Sequence, residues 1–292
     1  MKAIIGVGYL KYCMAGIDIY SQLKFPNPEA ALVHVVEPVL PDGGFQPQGA
    51  VNPIADIQNQ RQKDGEAKMA EIAETLSQAG IASESHVRFG RRAHEITSLA
   101  KESEADMIIA GSSGKGSLEK FFMGSVGRAL VMEAQRSILI GKTEVAGDGK
   151  INAVLATDHS DYANECINKL IEFAPAGIGK ITIVCANTVD TAIRDLLDEH
   201  AESGMSSASF TQFLESKNQA VCERLSGICE SCDSRVLNGP AKDVINAVMK
   251  ETDADLLMLG AHGHGFLERL IMGSTALEMA AAEPWNTLIL RV

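Results

Sequence analysis

Residues Ala254 to Ser274 read ADLLMLGAHGHGFLERLIMGS. The segment opens as a short apolar run and breaks at Gly260, so it reads as a buried strand ending in a glycine-rich turn. The spacing is Gly260-x2-Gly263-x9-Gly273-Ser274, with Thr275 next. Glycines at such a turn let a ligand approach the backbone closely. Gly273-Ser274 stands where a helix should follow, and the first N–H groups of a helix form an anion site. The Ser274 hydroxyl is expected to cap that helix or to bond a phosphate. Together these parts make a candidate phosphate cradle.

The segment occurs twice. Ala105 to Ser125 read ADMIIAGSSGKGSLEKFFMGS, identical at 10 of 21 positions and displaced by 149 residues. Gly111, Gly114, Gly124 and Ser125 match the second copy, and Lys115 stands in place of His264. The same displacement relates Leu76 to Leu225 and Gly90 to Gly239. A repeat of half the chain implies two homologous domains, not a solenoid. They are expected at 1–146 and 150–292, joined through the small, polar Ala146-Gly147-Asp148-Gly149.

Each half alternates apolar strands with helices. In the second half the pattern predicts strands over 151–157, 180–186, 234–237, 255–259 and 287–291. Helices are expected over 161–173, 209–227 and 241–249. In the first half strands are expected near 2–7, 31–36, 84–89, 107–110 and 137–140, with a Pro- and Gly-rich loop between Glu37 and Ile54. Strand–helix alternation with apolar strands implies an α/β fold whose parallel sheet is covered on both faces. Ligands of such sheets sit at the carboxyl ends of the strands.

Composition bounds the function. The chain has 292 residues, 46% hydrophobic and 22% charged, as in a globular protein. Its net charge of −12 disfavours nucleic acid as a partner. No run of 18 apolar residues suggests a membrane span. Lys11 interrupts the apolar N-terminal stretch, which reads as a strand and not as a leader. Six cysteines over this length are too sparse for a disulfide scaffold, so a reducing, cytoplasmic setting is expected.

The glycine motif after an apolar strand, present in both halves, resembles the nucleotide-binding signature of the universal stress protein family. The resemblance covers essentially the whole chain. It implies two tandem domains, each a five-stranded parallel sheet of order 3-2-1-4-5 with helices on both faces, of the adenine-nucleotide α-hydrolase-like type. Some members of the family bind ATP and others do not. In the binders an acidic residue ends the first strand and meets the adenosine part. Asp158 matches that residue, Val184 lies where the second strand would flank the base, and Gly260, Gly263, His264, Gly273, Ser274 and Thr275 match the phosphate segment. The expected ligand is therefore ATP or a related adenine nucleotide, with or without Mg2+, in a stress-response sensor or regulator. The alternative for Asp158 is a cap for the helix expected near Asp161.

The first half departs from this pattern. Its first strand ends Gly6-Val7-Gly8-Tyr9 without an acidic residue, although Gly111, Gly114, Lys115, Gly124 and Ser125 keep the phosphate segment. Its site is expected to be degenerate. The resemblance also implies association through the fifth strands, here an intramolecular pseudo-dimer, with a homodimer open but not required.

Two further groupings carry alternatives. Cys229-x-x-Cys232, expected between a helix and a strand, lacks the strand-to-helix position that activates a thioredoxin-type thiol. Structural cysteines are favoured over a thiol-redox protein using this pair. His159, His262 and His264 are candidate zinc ligands, weighed against solvent-facing loop histidines. No nucleophile–base pair is legible, so at most slow ATP hydrolysis is expected. A scaffold or interaction protein without nucleotide is the competing reading of the whole chain.

Overall fold

The computed structural model describes residues 1–8, 10–38, 53–111, 123–145, 149–188, 206–263 and 272–292. The chain divides into two compact units, Met1–Ser21 with Asn27–Glu144, and Gln22–Pro26 with Val145–Val292.

The first unit runs β1 (Lys2–Gly6), α1 (Leu10–Leu23), β2 (Glu29–Val36), α2 (Pro53–Gln78), β3 (Ala82–Phe89), α3 (Arg92–Glu102), β4 (Met107–Gly111), α4 (Ser125–Glu133) and β5 (Ser137–Gly141). Its strands pair in parallel in the order β3-β2-β1-β4-β5. The second unit runs β6 (Ile151–Ala156), α5 (Asp161–Phe173), β7 (Ile178–Asn187), α6 (Ser207–Leu225), β8 (Cys229–Asn238), α7 (Ala241–Glu251), β9 (Leu256–Gly260), α8 (Ser274–Ala282) and β10 (Asn286–Leu290). Its strands pair in parallel in the matching order β8-β7-β6-β9-β10. Each unit thus has the expected 3-2-1-4-5 sheet.

The inner strands are apolar because both faces are covered: four of the five residues of β4 and of β9 are buried. The helices supply the cover through stripes at helical spacing. On α5 the buried residues are Ala163, Cys166, Ile167, Leu170 and Phe173, and on α7 they are Val244, Ile245, Val248 and Met249.

The Ala-Asp pair that opens both copies of the glycine motif has a structural task. Asp106 Oδ2 accepts the Lys2 backbone N–H at 2.8 Å, and Asp255 Oδ2 accepts the Asn152 backbone N–H at 2.8 Å. In return the Asp106 N–H donates to Lys2 O and the Asp255 N–H to Asn152 O, each at 2.8 Å. Each aspartate therefore clamps the start of its unit's first strand to the start of the fourth, which sets the register that the ligand end inherits.

The outer strand β8 departs most from its sequence pattern. A strand was expected only over 234–237, but β8 spans ten residues, Cys229–Asn238. Its pairing with β7 runs from Ile178↔Cys229 to Asn187↔Asn238, so backbone bonds hold the polar stretch Cys-Glu-Ser-Cys-Asp in the sheet. An outer strand shows one backbone edge and much of its surface to water, and charged residues there deter pairing with other chains. Lys180 Nζ bonds Asp233 Oδ2 at 2.8 Å across β7 and β8. The pair Cys229 and Cys232 accordingly lies within a strand, not between a helix and a strand. The loop expected between Glu37 and Ile54 falls mostly outside the described residues, and its last residues, Pro53 and Ile54, open α2. Of the expected linker, residues 146–148 lie outside the described residues.

The single tryptophan, Trp285, lies in the second unit and donates its indole N–H to Asn246 Oδ1 at 2.7 Å. Asp255→Ala should destabilise this unit by about 1.5–3 kcal/mol, the worth of a hydrogen bond to a charged acceptor. A lower urea midpoint in Trp285 fluorescence is the expected reading; an unchanged midpoint contradicts the clamp.

Candidate functional site

The carboxyl ends of β6, β7 and β9 meet at one end of the second unit. Beyond β6 the chain makes a tight polar turn, Thr157-Asp158-His159-Ser160. Thr157 N–H donates to Val184 O of β7 at 3.0 Å. His159 N–H donates to Thr157 Oγ1 at 3.0 Å, and Ser160 N–H donates to Asp158 Oδ1 at 3.0 Å. His159 holds the left-handed backbone conformation with φ 59°, which is uncommon for a residue with a side chain. Ser160 is the residue that caps α5, its Oγ accepting the Ala163 N–H at 3.1 Å. Asp158 is therefore not the cap, and its carboxylate stands at the strand end.

The glycine motif packs against this turn. A Cβ on Gly263 would lie 2.8 Å from Asp158 Oδ2, so glycine is what lets the loop close over the carboxylate. Beyond β9, Ala261 N–H donates to Leu290 O at 3.0 Å, and Gly273 N–H donates to Ala261 O at 2.8 Å. This clasp ties the residue after β9 to the start of α8. A Cβ on Gly273 would sit 3.2 Å from Ala261 O and 3.6 Å from His262 Cα, so the clasp leaves little room for a side chain. Gly273 is the N-cap of α8 without a side-chain cap bond, and Ser274 is the first helical residue. The expected capping by Ser274 is thus replaced by a helix start at Ser274, which leaves the first backbone N–H groups available to a ligand.

A cavity of about 630 Å³ opens here. Asp158, Val184, Gly260, Gly263, Gly273, Ser274 and Thr275 all line it, as do His159 and His262. His264 lies outside the described residues, as do Gly114 and Lys115 of the first unit. In that unit Gly111 ends β4, Gly124 caps α4 and Ser125 begins it, the same places as in the second copy. By strand register His34 matches Cys185. Its Nδ1 lies 3.1 Å from Val7 O, and its ring fills the space that a Cβ on Gly65 would need.

The sequence reading missed a wall of the cavity. α6 contributes Phe210, Phe213 and Lys217, and α7 contributes Ile245. The Phe210 and Phe213 rings stack with centroids 6.5 Å apart, and Lys217 Nζ lies 5.4 Å from the centre of the Phe213 ring. Phe213 stays 53% exposed, which is costly for a large aromatic unless something covers it. The signal was present in the sequence as Phe213 and Leu214, but a helical apolar stripe reads first as core.

His159 and His262 are not loose loop residues. His159 Nε2 lies 2.9 Å from Asn218 Oδ1. His262 is 8% exposed, its ring edge-on to Tyr162 with centroids 4.7 Å apart. Among the described residues no group of three or more His, Cys, Asp or Glu is placed to hold a metal ion. The cavity thiol Cys185 is pushed up to about 11 by burial and by the nearby Asp158 charge, so it stays a protonated thiol.

The alternative that joins Cys229 to Cys232 is corrected. Cys232 is disulfide-bonded to Cys222 of α6, with Cα atoms 5.5 Å apart, and Cys229 is free. Burial raises the Cys229 pKa, and its Sγ donates to Leu225 O at 3.4 Å. Cys229 and Cys232 therefore do not form a redox pair. The tertiary contact between α6 and β8 selects the partner, which spacing along the chain could not.

The model of the universal stress protein family matches residues 21–142 and 152–291. A universal stress protein of Methanocaldococcus jannaschii is 27% identical over 116 residues, 40% of this chain and 66% of that one. One from Mycobacterium tuberculosis H37Rv is 27% identical over 190 residues, 62% of this chain and 60% of that one. The match thus spans somewhat under two thirds of the length of these relatives. Among solved structures, a universal stress protein from Archaeoglobus fulgidus superposes with a TM-score of 0.69 at 17% identity, covering 99% of this chain and 98% of that one. A putative universal stress protein from Pseudomonas aeruginosa superposes with a TM-score of 0.59 at 12% identity, covering 99% and 92%. With the family model matched twice, once in each unit, this chain belongs to the universal stress protein family.

Proposed function

We propose that the second unit binds ATP or a related adenine nucleotide and that the protein acts as a stress-response sensor or regulator whose state follows occupancy. The observation that carries the proposal is the polarity of the cavity. The carboxylate of Asp158 and the open start of α8, with Gly273, Ser274 and Thr275, line the same cavity. A carboxylate repels phosphate, while a helix N-terminus attracts it. The phosphates would therefore lie toward Gly273, and Asp158 would take the ribose or base. Val184 and the aromatic wall of α6 supply apolar surface for the base. The glycines at 263 and 273 make room for the Asp158 carboxylate and for the clasp on Ala261, which hold the loop beside the cavity. Mg2+ would enter with the phosphates.

The site is built for holding rather than turnover. Cys185 is a protonated thiol, and His159 Nε2 is engaged by Asn218. Hydrolysis, if measured, should be slow. Two further readings belong to the proposal: the domains associate through their fifth strands, and the protein works in the cytoplasm.

Gly273→Val should abolish ATP binding in calorimetry while the folded signal of Trp285 is retained, and Gly124→Val should matter less. Unchanged affinity in a folded Gly273→Val protein contradicts the site. Asp158→Ala should weaken ATP and adenosine alike, by about 1–3 kcal/mol, or roughly 5- to 150-fold. Loss of ATP alone would move Asp158 to a metal or phosphate role. For the association, Leu290→Lys should expose apolar surface to a reporter dye; no change in dye binding counts against the fifth strand as the contact.

A further inference from the structure

The turn that carries Asp158 is held from outside by a chain of contacts. Asn218 of α6 is fully buried. Its Nδ2 donates to the backbone carbonyl of Arg235 on β8 at 3.3 Å, and its Oδ1 lies 2.9 Å from His159 Nε2. A carbonyl only accepts, so the Arg235 oxygen fixes which end of the Asn218 amide is nitrogen. The Oδ1 that remains only accepts, so His159 must present Nε2–H to it. Protonating the imidazole adds a proton at Nδ1 and keeps this bond. The contact is thus set by the position of α6, not by pH.

The position of α6 is in turn tied covalently. Cys222 lies one helical turn beyond Asn218, on the same side of α6, and bonds Cys232 of β8. Arg224 adds Nη1 to Asn164 Oδ1 at 3.1 Å and Nη2 to Asn168 Oδ1 at 2.7 Å, anchoring the end of α6 to α5. Between Asn218 and Arg224, α6 therefore carries the Asn218 contact, a reducible bond and a hydrogen-bonded anchor. Its cavity wall runs from Phe210 and Phe213 to Lys217, the residue before Asn218.

We propose that Asn218 is a positioning residue for the Asp158 turn, and that the Cys222–Cys232 disulfide makes this positioning redox-sensitive. The ligand consequence rests on the nucleotide reading above; the mechanical linkage does not. In compartments kept reducing, a disulfide is transient and sensing, not a permanent staple. Reduction by a dithiol proceeds in two exchanges. A thiolate of the reductant attacks the Cys232 sulfur, the more accessible of the two, and displaces the Cys222 thiolate, which takes up a proton. The second reductant thiol then attacks the mixed disulfide, releases Cys232 as a thiol and closes the reductant into a disulfide. Two electrons pass from the dithiol to the protein. Cys229, held as a protonated thiol, is not the attacking group. Without the covalent link to β8, α6 keeps the Arg224 bonds and the Asn218–Arg235 bond but loses the covalent hold one turn from Asn218.

The test uses the full chain. Alkylation and mass spectrometry should count four free thiols before dithiothreitol and six after it. Hydrogen exchange at the amides of His159 and Ser160 should quicken several-fold on reduction. ATP affinity should fall with it, within the roughly 5- to 150-fold range of coupled sites. The Cys222→Ser/Cys232→Ser protein should sit at the reduced values with or without reductant. Asn218→Ala with its disulfide intact should lose the redox dependence, an outcome that a merely structural role would not produce. Six free thiols before reduction, or exchange at His159 and Ser160 that ignores the redox state of the wild-type protein, overturns the proposal. Redox-dependent exchange in a protein that binds no ATP in either state supports the tether and overturns the nucleotide reading instead.

Discussion

Everything at the ligand end of the second unit depends on the parallel backbone ladder around β6. Its partners are β7 on one side and β9 on the other, in a register that puts Ala156 beside Val184 and Leu259. Parallel pairing sends all three carboxyl ends to the same side, where their loops must diverge. Asp255 anchors the far end of the ladder through the Asn152 N–H. The turn at Asp158 and the glycine loop after β9 are therefore delivered side by side with little freedom left to adjust.

That delivery explains the division of labour among the glycines. Gly263 yields space to a carboxylate, and Gly273 yields space to a backbone clasp on Ala261. The first unit keeps the same strand order and the same helix start at Ser125. It has Gly8 where the second has Asp158, and a histidine ring in the place of Cys185. Two copies of one scaffold can thus diverge in chemistry through a few residues at the strand ends.

The helix α6 shows how a site gains a wall from an element read as core. It is held to β8 by a disulfide, to α5 by Arg224 and to the Asp158 turn by Asn218. Its aromatic pair faces the cavity from beyond the strand ends.

The sequence by itself determined the α/β class, the twofold repeat, the inner strands and the glycine positions of the second site. These follow from local signals: apolar runs over 255–259, helical spacing over 161–173, and glycines at fixed separations. The tertiary structure alone decided the rest. The outer strand β8 reaches back to Cys229 because β7 supplies backbone partners, which polar side chains do not reveal. Cys232 pairs with Cys222 and not with Cys229 because a helix and a strand bring them within reach. Ser160, and not Asp158, caps α5, and Phe213 lines a cavity instead of a core. The cap is a local bond from Ala163 N–H to Ser160 Oγ, but the β7–β8 pairing, the disulfide and the cavity wall join residues whose sequence separation says nothing of their distance, so periodicity and spacing could not register them.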